Sequence, residues 1–552
     1  NAGNPEGRVA GGNAAGLCDA SWIRRSPHTR IPFGTGLCLK RCISGHGPRF
    51  DFCGIAKRRI MGKRLVNQST SQAGEDPAAR TRDRAHQLIQ RSTQLTWFAV
   101  RPWLTNAALL IIGVAMFWLA RQLILEYRHF TIGFSGVSGW GAVLYVAAAA
   151  LILTQPTNRA TLPILIAVAV ATRLPALFAE PFLSSDIYRY VWDGIVQHAH
   201  ISPYRYVPGD PALAFLSEPH RQVFDHINRR DYARTIYPPL AQMLFYAITA
   251  ISPTVEFMKV AMVLFEAVTT MALIALLKDL GRRPEQVLLY AWCPLLVWEI
   301  AGSGHLDSAA MAFIALALLA RERRCPVATG IFLGIAVMMK FYPLVLFPAL
   351  WWRDDAPRGS DWKMPVALAG VVAAGYACYA GVGMRVFGFL GGYAQEEGLL
   401  TGARYFLLDL ARRVPGLGNL PTAAFYAFCT LVFASLTIWA WKTSSQPLSR
   451  PDAFLAPAFA LAAALMLLFS PHYGWYIIWL VPFFTLMPNL PALIYLMAFF
   501  YLYTTWYATP GPGTFFLNKI LYGSTLAALV IWMVSWRWRL HRKLPMHLDG
   551  AK

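Results

Sequence analysis

Apolar runs set the strongest limit on what this chain can fold into. They recur at 103–121, 138–154, 159–179, 258–277, 286–301, 305–320, 364–383, 421–441, 453–470, 473–488, 491–508 and 516–536. Most approach the ~17–25 residues that a helix needs to cross a bilayer. Inside lipid, every backbone N–H and C=O must be satisfied within the segment, so runs of this kind are helices. Residues 327–352 form a further apolar stretch, interrupted by Lys340-Phe341-Tyr342-Pro343, and read as two short helices meeting at a break. With 56% hydrophobic and only 14% charged residues, a soluble domain could not cover the apolar surface. The expected class is an all-α polytopic membrane protein.

The longest polar segment inside this apolar chain is 182–239. Within it Asp186, Arg189, Tyr190 and Asp193 fall at i, i+3, i+4 and i+7. On a helix that spacing places two carboxylates, a guanidinium and a phenol on one face. The face follows directly on the apolar helix ending near Ala179, so it belongs at a membrane surface, where carboxylates are costly unless paired, hydrated or used. The plain alternative is an interfacial helix in which Arg189 neutralises Asp186 and Asp193.

Charge supplies an orientation. The formal net charge is +21, but Lys and Arg gather in the first hundred residues, in short loops and in the tail. That is the cytoplasmic bias of membrane proteins and does not call for nucleic acid. Lys278, Arg282, Arg283, Arg321–Arg324, 353–363, 442–450 and the C-terminus are expected inside. This requires 237–252, apolar but short and opened by Pro238-Pro239, to lie in the outer interface instead of crossing. Asp186, His305, Asp307, Lys340 and His472 then all fall on the outer side. Residues 1–95 read as a disordered basic extension. Met61 reads as a more natural start than Asn1, which makes 1–60 a candidate for sequence that is not native.

Four other constellations carry polar groups. Gly302–Asp307 sits at a turn, where Asp307 or Ser308 starts the next helix as an ordinary cap. Lys340 either snorkels or meets an anion, and apolar flanks on both sides favour the anion. Ser470–Tyr476 resembles an aromatic membrane belt, with His472 its odd member. Tyr204-Arg205-Tyr206, followed by Asp210-Pro211, reads as a rigid turn. No P-loop, no strand-flanked GxGxxG, no HExxH and no paired Cys/His ligand set occurs. Cys38 and Cys42 lack a second ligand pair at zinc-finger spacing. No metal site and no cofactor are expected.

The motifs SSDIYRYVWDG, SPYRYVPGDPAL, INRRDYARTIYPPLAQ, GHLDS, KFYPLVLFPALWW and SPHYGWYIIWLVPF occur in that order over roughly 160–510. In them the chain resembles the polyprenol-phosphate-mannose-dependent mannosyltransferases of glycosyltransferase family 87. The resemblance implies a GT-C-type transmembrane helix bundle with interfacial helices in the first large outer loop. It also implies inverting transfer of a hexose, typically mannose, from a polyprenyl-phosphate donor to a lipid or glycan hydroxyl. Transfer would occur on the non-cytoplasmic face of a bacterial cell membrane. Asp186 takes the position of the family's catalytic base. Arg189, Tyr190, His305, Asp307, Lys340, Tyr342 and His472 become candidates for the donor phosphate and substrate, with Asp193 and Tyr237 in secondary positions. The implied organisation is two accessory spans at 96–158, a catalytic membrane domain at 159–540 and a cytoplasmic tail at 541–552. The expected partners are the lipid-linked donor, the acceptor and membrane lipids. Two other functions compete: a flippase or transporter of lipid-linked sugars, which should show internal repeats, and a ligase of whole glycans, which should show more outward arginines than loop 385–420 carries.

Overall fold

A computed structural model describes residues 77–127, 131–351, 362–444, 451–470, 473–498, 503 and 512–543. Expectations placed on 1–76, on the basic loops 352–361 and 445–450, on His472 and on the tail beyond Lys543 lie outside the described residues. All regular elements among the described residues are helical. The protein is a polytopic helical membrane protein.

The α-helices of seven or more residues run α1 Pro77–Gln122, α2 Thr131–Thr154, α3 Thr161–Leu177, α4 Asp186–His198 and α5 Pro239–Thr249. They continue as α6 Val255–Asp279, α7 Asp307–Glu322, α8 Pro326–Met339, α9 Lys363–Ala377 and α10 Leu390–Glu396. The last are α11 Phe406–Arg412, α12 Thr422–Ser444, α13 Leu455–Phe469, α14 Leu480–Leu486, α15 Leu490–Ala498 and α16 Pro512–Lys543. Helix α1 begins inside the stretch expected to be disordered. Residues 77–95 are rich in Ala, Arg, Gln and Leu, good helix formers, and they continue directly into an apolar span.

Twelve runs were expected to span, but six described helices are long and apolar enough: parts of α1, α2, α6, α12, α13 and α16. A bent pair, α9 with 380–396 at 106°, makes a seventh if it is one span. The shortfall has local causes. Run 286–301 is not one helix but a series of turns, Pro284–Val287, Leu288–Ala291, Pro294–Leu296 and Val297–Gly302, broken ahead of Pro294. A proline lacks the N–H that would continue the ladder, and it forces the preceding residue out of the helical region. Run 473–488 likewise divides into Gly474–Ile477 and α14. The break at Lys340 is where the sequence put it: Lys340 is extended, between α8 and the 3-10 turn Tyr342–Leu346.

Helices α6, α7, α8 and α9 pack in succession. On α8, Gly330 and Gly334 face α9. A Cβ on Gly330 would collide with the Met364 carbonyl oxygen, so only glycine permits this approach. Buried charges tie α3 to α6. Arg173 meets Glu266 at 2.5 Å, and the Lys259 ammonium donates to the carbonyls of Ala176 (2.7 Å) and Ala179 (2.6 Å) at the end of α3. In a medium without water these groups persist only because each has its partner. The spans expected to be accessory also join this core. The Tyr145 hydroxyl on α2 donates to the Leu289 carbonyl at 2.6 Å, and the Thr161 hydroxyl on α3 donates to Asn106 Oδ1 on α1 at 2.7 Å. Leu431, Ile438 and Leu526 remain exposed on α12 and α16, as lipid-facing side chains do.

Candidate active site

Helix α4 starts at Asp186, so the i, i+3, i+4, i+7 face forms as the spacing predicts. The two carboxylates on it have opposite surroundings. Asp193 is buried, and both of its oxygens are engaged. Arg189 Nε donates to one at 2.9 Å, and Gln242 Nε2 on α5 donates to the other at 2.8 Å. Arg189 also holds the Ala233 carbonyl with two N–H groups at 3.1 Å, while Gln242 reaches Thr235 Oγ1 at 2.7 Å. This network clamps α4, α5 and the chain segment before α5 together.

Asp186 is different. It is half-buried in the first turn, where the helix dipole favours a negative charge. Asn228 Nδ2 donates to its Oδ1 at 3.1 Å and to Ser185 Oγ at 3.1 Å, which orients the carboxylate. Among the described residues nothing hydrogen-bonds the other oxygen. Arg189 therefore pairs with Asp193 and leaves Asp186 without an ion-pair partner.

Asp186 lines a cavity of about 800 Å³. One part of its wall is apolar, from Phe182, Leu183, Phe341, Leu465, Met466 and Phe469. Another part is aromatic: Tyr342 stacks on Trp479, Tyr473 on Trp475 with ring centres 4.6 Å apart, and Tyr393 and Tyr476 join hydroxyls at 2.5 Å. Tyr188 stacks on His226 at 4.7 Å beside Asp186. Burial first, then Glu180 and Glu256, push its phenol up, so the ring stays neutral.

Of the residues singled out from sequence, Asp186, Arg189, Tyr237, Lys340 and Tyr342 line this cavity. Tyr190, Asp193, His305 and Asp307 are buried but do not line it. Tyr190 packs between Tyr237 and Phe245. Asp307 does start α7, yet its side chain caps no helix. It pairs with Lys340 at 2.5 Å, so the anion that Lys340 meets is this carboxylate. Ser308 donates to the Met262 carbonyl at 2.6 Å. The turn carrying His305 approaches α4 through Gly304 (φ +69°), where a Cβ would collide with Ile187 Cδ1. His305 stacks on Trp475, and its Nε2 lies 3.7 Å from Glu299. The turn at Tyr204–Pro211 is also as read: Asp210 Oδ1 accepts from the Ala212 N–H, and the Tyr204 hydroxyl donates to the Tyr237 carbonyl.

Sequence reasoning missed Asn228, Glu299, Glu397 and Arg404. Glu299 accepts from the Tyr503 hydroxyl, and Glu397 binds Arg404 and accepts from Tyr473 at 3.0 Å. A charged residue inside an apolar run was the available signal for Glu299. Asn228 and Arg404 sit in polar loops, where nothing distinguishes them. Among the described residues, no three His, Cys, Asp or Glu are placed to hold a metal ion.

A free carboxylate oxygen, an amide that orients it and a cavity with both apolar and aromatic walls suit proton abstraction from an amphipathic substrate. Comparison with known families adds the sugar. Residues 86–353 match an alpha-(1->6)-mannopyranosyltransferase N-terminal domain. That match covers close to half of the chain and, with the membrane helices, supports a membrane mannosyltransferase. Its bounds take in most of α1 and all of α2 as well as Asp186, Asp307 and Lys340. No match was found among curated proteins or among solved structures.

Proposed function

We propose that this protein transfers mannose from a polyprenyl-phosphate donor to a hydroxyl of a lipid or glycan acceptor, with inversion at the anomeric carbon. The matched family's description suggests an α-(1→6) linkage. The observation that carries the reading is Asp186, with one oxygen oriented by Asn228 and the other free at the cavity wall. Asp186 takes the proton of the acceptor hydroxyl as its oxygen bonds to the anomeric carbon. The bond from that carbon to the phosphate oxygen breaks, and its electron pair leaves with the lipid phosphate. The apolar wall receives the first isoprene units and the aromatic wall the sugar. Holding donor and acceptor in line supplies much of the acceleration. The GT-C arrangement belongs to this proposal, as does an outer-face position for Asp186. Helix α5 supports the latter: its eleven residues reach only about 17 Å, too short to cross a bilayer.

The deciding assay incubates the purified full chain with radiolabelled polyprenyl-phosphate mannose, polyprenyl-phosphate glucose, a nucleotide-linked mannose and native lipid extract. Label should pass to lipid only from the polyprenyl-phosphate mannose. Transfer from the nucleotide sugar, or none from any lipid donor, would refute the donor class.

A further inference from the structure

Five cations line the cavity: Arg189, Arg229, Arg234, Lys340 and Arg404. Four are committed. Arg189 pairs with Asp193, Arg229 with Glu396 at 2.6 Å, Lys340 with Asp307 and Arg404 with Glu397. Among the described residues Arg234 has no hydrogen bond, ion pair or ring contact. The two carboxylates that line the cavity divide in the same way: Glu397 belongs to one of these pairs, and Asp186 is left over. The cavity therefore presents two unmatched charges, one negative and one positive, which form no ion pair with each other.

Arg234 is also held in place. It is exposed, but its neighbours Ala233 and Thr235 are buried. The Ala233 carbonyl accepts both Arg189 N–H groups, and Thr235 Oγ1 accepts from Gln242. Gly388 (φ +52°) packs against the Thr235 carbonyl so closely that a Cβ would overlap it. The backbone on either side is fixed, and Arg234 between them lines the cavity.

We infer that Arg234 is the receptor for the phosphate of the lipid donor, working opposite Asp186 in the same cavity. This deepens the proposed function and rests on it. An inverting displacement needs a base for the incoming hydroxyl and a cation for the departing oxygen. As the bond from the anomeric carbon to oxygen breaks, the phosphodiester becomes a monoester and gains one negative charge. A planar guanidinium can meet two of its oxygens at once. The committed cations are poorer receptors, because each would have to leave a carboxylate first, and two of those carboxylates, Asp193 and Asp307, are fully buried.

The test uses the detergent-purified full chain and three probes: farnesyl phosphate, inorganic phosphate and phosphatidylinositol micelles. Arg234→Ala should weaken farnesyl phosphate binding about tenfold and raise the donor KM in proportion, with Arg234→Lys intermediate. Asp186→Asn should bind farnesyl phosphate as the wild type does. Binding of farnesyl phosphate unchanged by Arg234→Ala overturns the assignment. So does an equal loss for phosphatidylinositol, which would make Arg234 a contact for membrane headgroups, and so does a loss confined to inorganic phosphate. Wild-type protein that neither binds farnesyl phosphate nor is inhibited by it refutes the proposed donor itself, and Arg234 with it. Wild-type binding insensitive to Arg234→Ala refutes Arg234 alone.

Discussion

Replacing Asp186 and Asp193 in turn by asparagine separates chemistry from architecture on a single helix. The two stand seven residues apart on α4, and each substitution keeps size while removing one charge. In Asp186→Asn the loss falls on the proton acceptor. The new amide oxygen would still accept from Asn228, and no cation would be stranded, because none pairs with Asp186. Folding should hardly change, while the rate drops by the roughly 10²–10⁴-fold typical of removing a general base. In Asp193→Asn the loss is structural. Arg189 would stay buried with only the Ala233 carbonyl at full strength, and the new side chain offers one acceptor oxygen where Arg189 and Gln242 now use two. Breaking a buried pair from one side costs roughly 3–5 kcal/mol, and the retained amide oxygen should bring this to the lower end. The assay follows mannosyl transfer and thermal unfolding of both variants in the same detergent. Asp186→Asn should unfold like the wild type and lose transfer activity by roughly 10²–10⁴-fold. Asp193→Asn should unfold at lower temperature and, below that temperature, keep measurable transfer. An active Asp186→Asn protein would end the case for a base at that position. A stable but inactive Asp193→Asn protein would move the base two helical turns along.

For Lys340, the buried Asp307 partner predicts that Lys340→Met alone lowers both folded yield and activity, because it strands a carboxylate. Lys340→Met with Asp307→Asn should recover the yield, measured by size-exclusion chromatography. Recovered activity as well would show that the pair serves structure only. For topology, in a background without other cysteines, a single cysteine beside Asp186 should label from outside intact cells with an impermeant thiol reagent, and one beside Arg282 should not. Labelling of both from one side would remove the arrangement that places 239–249 in the interface.

Apolar run length and local helical spacing were readable from the residues in order. Runs near twenty residues in a chain with few charges leave only helices across a membrane. The i, i+3, i+4, i+7 spacing put Asp186, Arg189, Tyr190 and Asp193 on one face because helical geometry depends only on neighbours. The break at Lys340 was visible for the same reason, as Pro343 and a cation interrupt one stretch. Which carboxylate is free could not be read this way. Arg189 stands three residues from Asp186 and four from Asp193, and either pairing is sterically open on an isolated helix. Gln242 and Ala233 decide between them, from segments brought in by the fold. The same holds for Lys340, whose anion lies 33 residues earlier on α7, and for Asn228, which reaches Asp186 from 42 residues away. Spacing along a chain reports which side chains can share a face. Which of them keep an unspent charge depends on partners supplied by distant segments, and that is decided only when those segments pack together.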